Sequence, residues 1–363
     1  MNLEDQFINN KLNDNSFPPG KDYRATYTIL KNNFEKNIHP EIKTKILEIE
    51  KEGYYNDHGV EHIKMVIDRI SKIVENFESN ESSFKLSDYE IFILLIAANL
   101  HDAGHLITTR KGHAHAAKEL LSRFDKAPNN LLDANERRII GDIAKSHGGK
   151  DDPIGKLQSE DHISGIKIRP RLLASILRLA DELAEDKTRA SRFLLYLKDQ
   201  NDTQSNPIDD FSEIFHRFSE SMDSIFIEGN VIKLSFCVNS KQLIKKFKKK
   251  NGEIETEHYL LDEIYERCLK TFLETLYSNR FFAPNNRYTK ITVNVYLLDE
   301  YEDYLIDPIS FVLEESGYPF ISHGDIFQIC KKDLKDANTG VNIDGEYIAK
   351  LIEKKTSIHE KSI

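Results

Sequence analysis

Between Asp57 and Leu197 the apolar residues recur with a helical period almost without a break. The segments His62–Phe77, Ser87–Ala103, His113–Phe124, Asp133–His147 and Pro170–Leu197 all show it. An amphipathic helix hides its apolar stripe only against other elements, so successive segments of this kind predict an all-helical bundle. Pro18, Pro19 and Gly20 interrupt residues 1–50, which read as a lead-in with helices at Tyr23–Phe34 and Pro40–Glu52, ending at Gly53. The polar stretch Asp199–Asp210, with Asn201, Gln204, Ser205, Asn206 and Pro207, stops the helical pattern. Beyond it Ser224–Val238, turning at Gly229-Asn230, reads as a hairpin, Thr256–Phe282 as a long amphipathic helix and Lys290–Leu298 as a strand. The expected organisation is a helical lead-in (1–50), a helical domain (51–204), a small α+β domain (205–300) and a helical tail (301–363), mainly α throughout.

Composition excludes several classes. With 39% hydrophobic and 30% charged residues in 363, the chain has the apolar content to form cores, so disorder over most of its length is excluded. The longest apolar run, Ile91–Ala98, is far shorter than the roughly 20 residues that span a bilayer, so no transmembrane helix and no membrane partner are expected. Met1–Asn10 contains Glu4 and Asp5 and lacks the pattern of a secretory signal, which leads to the expectation of a cytoplasmic protein. Cys237, Cys268 and Cys330 are too far apart for a disulfide framework or a cysteine zinc site. A net charge of -10 disfavours nucleic acid as a partner. The one basic run, Lys241–Lys250, reads either as a solvated helix end or loop or as an anion-binding patch, and charge runs usually do the former.

Chemistry is concentrated in the helical region. Eight of the thirteen histidines (His58, His62, His101, His105, His113, His115, His147, His162) fall between residues 58 and 162, about double an even share. His58 and His62 stand one helical turn apart and share a face. His101-Asp102 closes the helix Ile91–Leu100, which is apolar nearly all round and therefore buried, so both residues need partners. Asp181 lies on another mostly apolar helix, among Leu177, Leu179, Ala180 and Leu183. Any one of these residues alone is ordinarily a satisfied core or surface group, and Asp181 could pair with Arg178 or Arg189. As a set they suit a divalent cation, since imidazole and carboxylate together bind Mn, Fe, Ni, Zn and similar ions.

His62 followed by Val66, then His101-Asp102, then Asp181 within Arg178-Leu-Ala-Asp-Glu-Leu, resembles the HD superfamily of metal-dependent phosphohydrolases over roughly residues 50–200. The resemblance implies an HD-type helical bundle in which His62, His101, Asp102 and Asp181 bind one divalent metal. In members with an expanded site, such as HD-GYP cyclic dinucleotide phosphodiesterases, further histidines complete a second metal, and His113 and His147 stand at similar places. The HD-GYP signature is incomplete, because His105 replaces its lysine and no HHExxDG follows at His147. His101-Asp102-Ala-Gly104-His105 is similar to the HDxGH segment of deoxynucleotide triphosphohydrolases, and His58 with His62 to their first motif; Gly112-His113-Ala-His115-Ala departs from their GHxGE. The segment Arg178–Arg189 also resembles HD domains of bacterial conflict and defence systems.

These readings set the functional expectation. Asp102 orients the attacking water, while His105, His113 and His147 either hold a second ion or, protonated, neutralise the phosphoryl group and protonate the leaving oxygen. His113 and His115 point apart on a helix, and His113 is favoured for the site. His58, Lys145, Lys187 and Arg189 are the candidates for binding substrate phosphates. The ions, one or two, are drawn from Mn, Fe, Ni, Mg or Zn. The leading substrate is a dNTP or related nucleotide. The alternatives are a nuclease holding single-stranded nucleic acid on Lys241–Lys250, and a nucleotide sensor or defence effector whose 205–300 domain meets a partner or makes a homo-oligomer.

Overall fold

The computed structural model of the chain describes residues 2–42, 59–108, 112–125, 130–200, 208–251, 254–299, 301–315, 325–330 and 333–359. These fall into two compact units, one from within 1–48, 57–184 and 274–287, the other from within 185–273 and 288–363. The chain is mainly α, with a small α+β region in its later part.

The first unit contains helices α1 (Leu3–Asn9), α2 (Tyr23–Asn37), α3 (Val60–Asn80), α4 (Asp88–Leu100), α5 (His113–Phe124), α6 (Ala134–Lys145) and α7 (Pro170–Glu182). Start signals fix where several of them begin. Ser87 with Glu90 and Asp133 with Glu136 form capping boxes at the heads of α4 and α6, and Pro170 opens α7. In α4, Phe92, Ile93, Leu94, Leu95, Ile96, Ala97, Ala98 and Leu100 are all fully buried. A helix apolar on every side can only be central, so the two residues that follow it arrive in the interior. Around it α3 presents Ile63, Val66, Ile70, Ile73 and Phe77, and α7 presents Leu173, Ile176, Leu177 and Ala180.

Two sequence expectations change here. The lead-in belongs to the bundle's core rather than standing before it: Tyr23 packs on Tyr89 and Phe92 with ring centroids 5.3 and 5.0 Å apart. The buried Glu136 carboxylate accepts from the hydroxyls of Tyr23 and Tyr89 and pairs with Lys21 at 2.6 Å. These partners lie far apart in sequence, so periodicity alone does not reveal them. A hairpin of β1 (Asp161–Ile163) and β2 (Ile166–Ile168) also precedes α7, turning at Ser164 and Gly165, both with positive φ. The helix expected at Pro40–Glu52 lies mostly outside the described residues.

The second unit carries α8 (Arg192–Asp199), α9 (Asp210–Ser221) and a four-stranded sheet of β3 (Met222–Glu228), β4 (Val231–Asn239), β7 (Lys290–Leu298) and β8 (Ile309–Glu314), in the order β3-β4-β7-β8. Strands β4 and β7 are parallel, with Leu234 opposite Val293; the outer pairs are antiparallel. Alternate residues are buried, Ile232, Leu234, Phe236 and Val238 on β4 and Ile291, Val293, Val295 and Leu297 on β7. The remaining elements are α10 (Ser240–Ile244), the hairpin β5 (Lys246–Asn251) with β6 (Ile254–Tyr259), α11 (Leu260–Asn279), whose residues from Glu274 onward are counted with the first unit, α12 (Ile326–Ile329) and α13 (Gly345–His359).

The hairpin at residues 224–238 and the strand at 290–298 stand as the alternation implies. The long helix starts at Leu260, because the residues before it form β6. The tail from 301 opens with a strand, β8, that completes the sheet, and is therefore not purely helical. The unit division at Ala184/Glu185 falls before the polar stretch at 199–210, since α8 continues the helical period but packs with the second unit. Among the described residues no helix is long and apolar enough to cross a membrane.

Candidate metal centre

Helix ends of the first unit converge on one point. His62 sits in the first turn of α3, His101 and Asp102 directly follow α4, and His105 lies in a 3-10 turn at Ala103–Leu106. His113 opens α5, His147 follows α6 by two residues, and Asp181 is in the last turn of α7. Helix termini project side chains past the ends of their own hydrogen-bond ladders, so several of them can share a small polar volume without breaking a helix.

Asp102 divides the cluster into two halves. Its Oδ2 lies 3.5 Å from His62 Nε2 and 3.3 Å from His101 Nε2, and Asp181 Oδ1 lies 3.2 and 3.5 Å from the same two nitrogens. Its Oδ1 faces the other way, 3.9 Å from His105 Nε2, 3.6 Å from His113 Nε2 and 3.7 Å from His147 Nε2. The rings of His105 and His113 stack with centroids 4.1 Å apart and planes 7° from parallel.

The histidine tautomers follow from the backbone. His101 Nδ1 donates to the Ala98 carbonyl at 2.7 Å, and His147 Nδ1 to that of Ala144 at 2.6 Å. Each ring therefore turns the lone pair of Nε2 toward Asp102. His113 Nε2 lies 2.9 Å from His147 Nε2. Lone pairs and carboxylate oxygens brought together repel unless a cation stands between them, so this donor set fits a divalent metal. Two donors each about 2.1 Å from one ion are about 3.0–3.4 Å apart, close to the spacings on the Oδ2 side.

Without an ion, the positive charge that the two carboxylates call for has to sit on a ring instead. Burial works against a charged His101, but the carboxylates of Asp102 and Asp181 overcome it and hold its pKa well above the ordinary value. Burial likewise works against ionised Asp181, yet His101 and His62 keep it well below the usual carboxylate range. His147 is pushed down to about 4 by burial and by the neighbouring His101 and His113. Asp181 and His113 have side chains 26% and 17% exposed, against 4% or less for the other five, so the centre opens to solvent beside these two.

The other sequence candidates are placed differently. His115 is exposed on α5, so of the pair only His113 reaches the cluster. Lys145 is half-buried in the last turn of α6. Lys187 and Arg189 belong to the second unit, where they pair with Asp223 at 3.2 Å and Glu185 at 3.0 Å. His58 lies outside the described residues. The run Lys241–Lys250 includes the end of α10 and is largely solvated, with the side chains of Lys245, Lys246 and Lys248 40, 53 and 60% exposed. It forms α10 and β5, and Lys245, Lys248 and Lys249 pair with Glu213, Asp210 and Glu263.

Two supporting residues, Arg69 and His39, are not singled out by the sequence reading. Arg69, two turns after His62 on the buried face of α3, donates to the Leu183 carbonyl just after α7 and so ties the helix of His62 to that of Asp181. Its signal is a cation on an apolar stripe. His39, fully buried, lies with Nε2 2.9 Å from the Asn99 carbonyl and stacks on Phe34. Nothing in the sequence around His39 marks it.

A family model, HD-CE, matches residues 52–269, more than half of the chain's 363 residues. The chain belongs to the HD-CE family. The HD-CE stretch contains every member of the cluster, from His62 to Asp181, and continues through β3–β6 into α11. No curated protein matches the chain. The HD domain and its buried His/Asp cluster together indicate a metal-dependent hydrolase.

Proposed function

We propose that this protein is a metal-dependent phosphohydrolase that cleaves a nucleotide phosphoester or phosphoanhydride, most specifically a dNTP or related nucleotide. Two ions would share Asp102, one held by His62, His101, Asp102 Oδ2 and Asp181, the other by Asp102 Oδ1, His105, His113 and His147. The observation that carries this reading is the division of one carboxylate between two sets of histidines. Bound divalent ions supply polarisation of a phosphoryl oxygen and lower the pKa of water toward neutrality. The Ala98 and Ala144 carbonyls keep His101 and His147 in the tautomer that offers Nε2. Asp181 and His113, at the open side, are the members nearest an arriving phosphate, and Lys145 is the proposed cation for it. Manganese suits the mixed nitrogen and oxygen donors and is the ion to load first.

The nuclease reading loses its support where the lysines of 245–249 are paired with acids. The test is chromatographic product analysis on dNTPs, NTPs, cyclic dinucleotides and single-stranded DNA with Mn, Mg, Ni or Co. A His101→Ala/Asp102→Ala protein serves as the control. Turnover of a nucleotide that vanishes in the control is expected. A metal-loaded protein inert toward the whole panel would contradict the reading and favour a nucleotide sensor or defence effector.

A further inference from the structure

We propose that Gly104 positions the imidazole half of the centre, and that it does so by lacking a side chain. The inference rests on the two-ion reading above. Gly104 sits between Asp102 and His105 in the 3-10 turn. A Cβ built there would lie 1.8 Å from the carbonyl oxygen of His113, 2.6 Å from its carbonyl carbon and 2.7 Å from the amide nitrogen of Ala117. Gly104 is not among the residues with positive φ, so it is space and not backbone conformation that demands glycine.

The atoms it meets belong to the backbone of α5 and cannot rotate away. The turn bearing His105 therefore rests directly on the first turn of the helix bearing His113. That contact is what allows the two rings to stack at 4.1 Å and bring both Nε2 atoms to Asp102 Oδ1. A methyl group at residue 104 would separate turn and helix by about 1 Å or more, enough to spoil a ligand set held to tighter tolerance than that. His62, His101 and Asp181 come from α3, the end of α4 and α7, outside this contact. The displacement thus falls on one half of the centre. Gly141 on α6 makes a second close approach to α5, but there a Cβ meets the flexible Lys118 side chain, Cγ at 2.7 Å and Cβ at 3.2 Å. A substitution at 141 presses on the same helix more gently.

The test is equilibrium dialysis of the full chain against Mn(II), with a Co(II) absorbance titration and circular dichroism on the same samples. Wild type is expected to bind two ions. Gly104→Ala is expected to keep its helical signal and its first ion, and to bind the second about 10- to 100-fold more weakly, as His113→Ala would by losing the ligand outright. A folded Gly104→Ala protein that binds both ions as wild type does, or loses both equally, would overturn the positioning role. Wild type binding fewer than two ions would instead overturn the two-ion reading on which the role rests. Should Gly104→Ala fail to fold, Gly141→Ala decides: a second ion weakened several-fold beside an unchanged first supports the proposal, and an unchanged second ion overturns it.

Discussion

Each unit places histidine beside carboxylates, and the two groups are resolved differently. In the second unit Glu263 and Glu266 lie beside His258, and the protein supplies its own cations: Lys249 lies 2.6 Å from Glu263, and Arg267 lies 2.8 Å from it. The His258 ring and Lys249 hold Glu266 at about 2. In the first unit Asp102 and Asp181 face the nitrogens of His62, His101, His105, His113 and His147. The same residue types therefore carry opposite meanings. A group that already contains an ammonium and a guanidinium is a structural ion pair, whereas carboxylates facing imidazole lone pairs leave a place for an ion.

Substituting one acid from each group separates the two most sharply. Asp102→Ala is expected to release both ions and lower nucleotide turnover roughly a thousandfold, read from metal content and product formation. Glu263→Gln should leave metal content and turnover unchanged. Its cost is in folding, on the order of 3 kcal/mol, because Lys249 and Arg267 lose the buried charge they face; denaturant midpoints measure it. If Glu263→Gln lost metal, or Asp102→Ala kept it, the contrast between the units would collapse.

Chelation separates the two groups without mutation. An ion that binds only the folded chain stabilises it by about 2.7 kcal/mol at a hundredfold excess over its Kd. Removing it should lower the melting temperature of wild type and of Glu263→Gln alike, and leave His101→Ala/Asp102→Ala unmoved.

The smallest effect concerns His216 on α9, 3% exposed, where burial first and then Arg189 and Arg217 lower its pKa to about 4 despite Glu185 and Glu213. Below the ordinary value of 6.5 the unfolded chain takes up a proton that the folded chain refuses until about pH 4. Stability contributed by neutral His216 is therefore present above pH 6.5 and lost as pH falls through this window, on the order of 2 kcal/mol. His216→Gln should flatten that part of the stability profile; an unchanged slope would exclude His216 as its source.

What could be read from the sequence was whatever repeats with a period or sits at a helix end. The bundle followed from apolar spacing, and the His101-Asp102 doublet from its place after a helix with no polar face. The strands at 224–238 and 290–298 followed from alternation around Gly229-Asn230. Pairing across long separations stayed hidden. The acids Asp210, Glu213 and Glu263 that meet the lysines of 245–249 lie outside that run, and Tyr23 and Tyr89 meet on Glu136 from three distant segments. The role of Gly104 was equally invisible, because a missing Cβ becomes informative only when the backbone of α5 is seen against it.

Anomalous scattering from a crystal of the full chain loaded with manganese tests the sharing of Asp102 most directly. Two peaks flanking Asp102 are predicted, one among His62, His101 and Asp181 and the other among His105, His113 and His147. A single peak, or peaks away from Asp102, would contradict that sharing.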